Sequence, residues 1–135
     1  MLVDEASLWP KGRFVTTQLI VTTKFLDAHP DVVQNLIAGL SDSITLIRTN
    51  PAEAQDLVSK GIEAVTGKAL SPTVIAASFM KLHFTLDPIA SSLAKDAQSA
   101  VELGFLKSAD IAGIYDLSLV NKVLTDDGQP EIATP

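Results

Sequence analysis

Between Arg13 and Thr22 the chain reads RFVTTQLIVT, the stretch richest in β-branched residues, and that composition fits an extended strand. No second stretch of similar quality accompanies it. A strand without a neighbour leaves its N–H and C=O groups unpaired, so the sheet for this one must come from elsewhere. From Thr23 onward the hydrophobic period is that of helices, and the fold class expected is mainly α with one or two short strands.

Thr23 to His29 reads as a short helical segment stopped at Pro30, whose ring and missing amide proton disfavour helix in the residue before it. Pro30 and Asp31 suit a first turn. Val33, Leu36, Ile37, Leu40, Ile44 and Ile47 then recur at steps of three and four, which predicts a helix over Pro30 to Arg48. Asn50 as cap, Pro51 as first residue and Glu53 in the first turn predict a second helix to about Val65, closed by Gly67. Ser71-Pro72 repeats that start for a third helix carrying Val74, Ile75, Phe79 and Met80, with a brief extended piece over Leu82 to Thr85. Asp87-Pro88 predicts the start of a fourth, running to Leu103 and capped by Gly104. Asp116 to Leu124 reads as a last short helix, and residues 126–135 as a frayed, flexible polar tail.

A chain of 135 residues is about one domain, and one core is expected. With 47% hydrophobic and 19% charged residues it can bury a core, which excludes a disordered polymer. Its apolar content is mostly Leu, Ile, Val and Ala, which suits helix packing. The net charge of −6 and the absence of any Lys/Arg cluster remove the electrostatic footprint of a phosphate-backbone binder, so nucleic acid is not an expected partner. Acidity does not forbid a small anion, which a pocket can hold with local donors. With no cysteine, disulfides and thiolate metal sites are excluded. No apolar run exceeds four residues, far below the roughly 20 that a spanning helix needs. Asp4 and Glu5 stand close to the start, with no basic opening and no apolar h-region; the expectation is no signal peptide in this chain, with that of an exported parent lying upstream.

Motifs for catalysis are not evident. His29 and His83 lack further ligands at metal spacing. The first fits a helix cap, and the second a hydrogen-bonded core or edge position. Ser91-Ser92 has no nucleophile elbow and no base nearby, and no Gly-rich turn joins a strand to a helix. Asp126-Asp127-Gly128 lacks the alternating ligands of a calcium loop and reads as solvated acidic sequence. The polar cluster Thr16, Thr17 and Gln18 could face a cleft and donate hydrogen bonds to an oxyanion. The ordinary reading of these threonines is β-favourable residues facing solvent or a neighbouring strand. Trp9 could stack on a ligand or close a lobe.

Residues 3–21, VDEASLWPKGRFVTTQLIV, resemble the return segment of the aliphatic-sulfonate, nitrate and taurine binding proteins of ABC importers. His29-Pro30-Asp31-Val32-Val33, Asn50 to Gln55, Thr66 to Leu70 and Gly113 to Leu119 are similar, in the same order, to that family's carboxy-terminal helices. The resemblance implies that residues 1–125 are the carboxy-terminal segment of a type II periplasmic-binding-protein α/β fold, with a strand over 13–22 and four or five helices. It implies a periplasmic or cell-surface parent that binds a small oxyanion (an aliphatic sulfonate, taurine or nitrate) and delivers it to an ABC permease. No catalysis and no cofactor follow from it. Thr16 and Thr17 are the ligand-binding candidates in this chain; the rest of the two-lobed protein is not part of it. The exposed strand edge of an isolated segment predicts a homo-oligomer. The alternative is a stand-alone helical protein-interaction module derived from the same family.

Overall fold

The computed structural model describes residues 2–133. Helix accounts for 60% of them, and no strand is present among the described residues. Two 3-10 turns, Glu5–Leu8 and Pro10–Gly12, lead into six α-helices: α1 Thr23–Ala28, α2 Pro30–Thr49, α3 Pro51–Thr66, α4 Pro72–Phe79, α5 Ala90–Glu102 and α6 Ser118–Asp126. The mainly helical class is therefore observed, and the strand over 13–22 is corrected to an extended segment with a bend at Thr16. Its β propensity is real, but a ladder needs a partner strand and this chain folds none among the described residues.

Where one core was expected, the chain forms two compact units, one made of the residues up to Pro30 together with those from Asp87 onward, the other of Asp31–Leu86. In the second unit the helices begin where their caps dictate. Asn50 Oδ1 accepts the Glu53 N–H at 3.4 Å while Asn50 Nδ2 donates to Glu53 Oε2 at 2.7 Å, so the cap and the third residue of α3 satisfy each other. Ser71 Oγ accepts the Val74 N–H at 3.3 Å, with Pro72 at the first helical position of α4. The backbones of α3 and α4 approach closely, and Ala54 and Ile75 are buried in this unit with Val33 and Ser41 of α2. The Phe79 and Phe84 rings meet at 5.3 Å. His83, expected at a core or edge position, is exposed; its neighbours alternate too briefly to bury it.

In the first unit α5 begins two residues later than Pro88 suggested. Asp87 Oδ1 accepts the Ile89 N–H at 2.8 Å, a side-chain turn that holds Ile89 at φ 45°, and a β-branched residue in the left-handed region breaks the helix there. Both α5 and α6 end in the same motif. Gly104 at φ 77° and Gly128 at φ 69° turn the chain so that Phe105 N–H bonds to Ala100 O at 2.8 Å and Gln129 N–H to Leu124 O at 2.7 Å. This satisfies carbonyls that the helix ends would leave open. The sequence Asp126-Asp127-Gly128 is thus a helix terminator. Beyond it, in the segment expected as a tail, Ile132 is bonded to the Asn121 side chain in both directions, at 3.0 and 2.8 Å. Ala97, Leu117, Val120, Val123 and Leu124 are the buried apolar residues of this unit.

Burial is shallow. No large side chain is completely buried among the described residues. The accessible surface is 9883 Å².

Candidate functional site

The segment Val15–Gln18 lies along α5 and encloses, with Ser92, Leu93 and Asp96, an open cavity of about 130 Å³. Three contacts set this geometry. The Val15 N–H donates to Ser92 Oγ at 3.3 Å, and Ser92 Oγ donates to Ile89 O at 2.9 Å. Gln18 Nε2 donates to Pro88 O at 3.1 Å and to the Tyr115 hydroxyl at 3.4 Å. Arg13 and Asp87 approach to 3.9 Å, with both side chains substantially exposed, so this pair adds little.

Thr16 and Thr17 both line the cavity, and both are exposed. Their hydroxyls make no hydrogen bond to the described residues. They stand at its rim as two uncommitted donors and acceptors. Gln18, the third member of the polar cluster, is half-buried and tied to Pro88 and Tyr115, which makes it a strut. Ser92 is 3% exposed, and its hydroxyl is engaged both as donor and as acceptor. Asp96 supplies the charged group of the lining. A bare anion at the rim would meet a like charge, whereas a group carrying a positive end could set that end against the carboxylate.

Trp9 is engaged within the chain. Its ring stacks on Phe14 at 5.4 Å and 16°, and Lys95 Nζ stands 4.7 Å from its centroid while donating to Leu8 O. The aromatic face offered to a ligand by the sequence is therefore covered by Lys95. His29 caps α1 through its backbone N–H to Phe25 O at 2.9 Å, with its ring 5.0 Å from that of Phe25. Among the described residues no group of His, Asp and Glu is placed to hold a metal ion, and no helix is long and apolar enough to cross a membrane.

Ser92 and Asp96 carry no local sequence signal that marks them as site residues. The spacing Ser92, Leu93, Asp96 puts all three on one side of a helix, but nothing local says that Val15–Gln18 covers that side. No family model, curated protein or solved structure matches this chain.

Proposed function

We propose that this chain is the carboxy-terminal part of the substrate-binding component of an ABC importer for a small oxyanion, with Thr16 and Thr17 on the ligand side of its extended segment. The observation that carries the reading is the segment Arg13–Thr22 itself. Its residues suit a sheet, yet it pairs with no strand among the described residues, and Leu19, Ile20 and Val21 stand exposed. A larger lobe that supplies the neighbouring strands would cover those side chains and satisfy that backbone. Two lobes closing on a ligand would then be stabilised by contacts from both sides. Among aliphatic sulfonates, taurine and nitrate, taurine has an ammonium group to set against Asp96, and nitrate has none.

Titration calorimetry with taurine, an alkanesulfonate and nitrate tests this, on the chain alone and on a longer protein carrying the upstream lobes. Binding by the longer protein, lost on Thr16→Val with Thr17→Val, is the expected result. Failure of the longer protein to bind any of the three, or full binding after both substitutions, would overturn it. The second reading, a helical interaction module, is favoured by a different observation, the uncovered apolar side of α3.

A further inference from the structure

The cavity beside α5 has hydroxyl groups and a carboxylate to offer a ligand, and its lining holds no Lys, Arg or His. The two cations nearest in sequence are engaged elsewhere. Arg13 approaches Asp87 at 3.9 Å, and Lys95 donates to Leu8 O and stands over the Trp9 ring. The Ser92 hydroxyl and the Gln18 amide are committed inside the chain. What remains for a ligand is the pair of hydroxyls on Thr16 and Thr17 and the carboxylate of Asp96. That carboxylate accepts no hydrogen bond and pairs with no cation among the described residues. No residue three or four positions away on α5 is basic either, so its own helix gives it no ion pair.

We infer that the cavity takes a small zwitterion, with its oxyanion on the Thr16 and Thr17 hydroxyls and its ammonium on Asp96, and that Asp96 decides between such a ligand and a simple anion. This deepens the transport reading and rests on it. Threonine hydroxyls donate to an oxyanion without carrying charge, so they leave the repulsion from a neighbouring carboxylate uncompensated. An ammonium on the same ligand compensates it, because it turns that carboxylate into the acceptor of a charge-assisted hydrogen bond. Specificity then comes as much from repelling the simple anion as from holding the zwitterion. The volume of about 130 Å³ lies below the roughly 300–1,000 Å³ of sites for drug-sized ligands, which suits a chain of a few carbons. Hydroxyl donors serve sulfonate and carboxylate alike, so the ligand class is the short amino acids and aminosulfonates whose amine and oxyanion stand at opposite ends.

Calorimetric titration of the longer protein carrying the upstream lobes, with taurine, β-alanine, propanesulfonate and nitrate, tests this. Propanesulfonate has a methyl group where taurine has its ammonium. At least one of the two zwitterions is expected to bind about tenfold more tightly than propanesulfonate, the scale of a hydrogen bond to a charged group, and the tighter of the two identifies the oxyanion. Asp96→Asn should cancel that preference and Asp96→Lys should reverse it, both with unchanged far-ultraviolet circular dichroism. A simple anion bound as tightly as the zwitterions, or a preference that survives Asp96→Asn, would overturn the inference and leave the transport reading in place. No binding of any of the four would overturn both.

Discussion

Asn121 holds Ile132 by both of that residue's backbone groups. The side-chain amide donates to the Ile132 carbonyl at 3.0 Å, and its oxygen accepts the Ile132 N–H at 2.8 Å. One helical side chain thus does for an extended segment what a neighbouring strand would do, and does it in a half-buried place. Asn121→Ala leaves two backbone groups without their partner and is expected to lower stability by about 1–2 kcal/mol. It should also speed proteolysis between residues 129 and 133. Asn121→Asp keeps the acceptor and loses the donor, so in denaturant unfolding it should destabilise less than the alanine variant does.

Ser92 is the corresponding tie for the amino-terminal segment. Its buried hydroxyl accepts the Val15 N–H and donates to Ile89 O. Ser92→Ala is expected to destabilise by about 1–2 kcal/mol and to raise amide exchange at Val15 before the amides of α5. Exchange that rises uniformly across the first unit would show that the bond is not local in its effect.

Two glycines changed to alanine should move stability in opposite directions. Gly104 sits at φ 77°, so Gly104→Ala forces a Cβ into the left-handed region and costs about 1 kcal/mol. Gly39 lies inside α2 with nothing within 4 Å of an added Cβ, and Gly39→Ala should add about 1 kcal/mol. Thermal unfolding of the pair reads the difference directly.

Asp116 accepts the Ser118 hydroxyl at 2.6 Å and the Ser118 N–H at 2.9 Å, and those two bonds hold its carboxyl below its ordinary value of 3.8. Because the folded value is depressed, the stabilisation is present in full above the unfolded value and is lost as pH falls through the folded one. The group is largely exposed, so water screens the effect and the acid limb is shallow. Asp116→Asn should flatten the pH dependence of stability below about pH 4, and a carboxyl titration followed by NMR should place Asp116 below its ordinary value of 3.8.

Helices are legible where their signals are local. Asn50-Pro51 and Ser71-Pro72 name the starts of α3 and α4 because a cap needs only the next three residues. The start of α5 is not, because Ile89 adopts a conformation that its own side chain opposes, held there by Asp87. RFVTTQLIVT has the composition of a strand because propensity reports how a residue fits a sheet, and it carries no information on whether a partner exists. The division into two units is hidden too, since composition counts apolar residues without saying which of them meet. Of the candidate site, Thr16 and Thr17 are visible as a polar pair in an apolar stretch. Ser92 is not, for it meets Val15 across 77 residues of sequence, and periodicity reaches only a few turns.

Leu19, Ile20 and Val21 stand side by side in the open segment, with Ile20 84% exposed, and their backbone groups bond to no other described residue. Such a stretch is a template for edge-to-edge addition of further chains. The expected consequence is a lower concentration at which the protein stays in solution, independently of how well its helices are folded. A single charge at Ile20 would act there as a gatekeeper, leaving the melting temperature where it is and raising the yield of soluble protein.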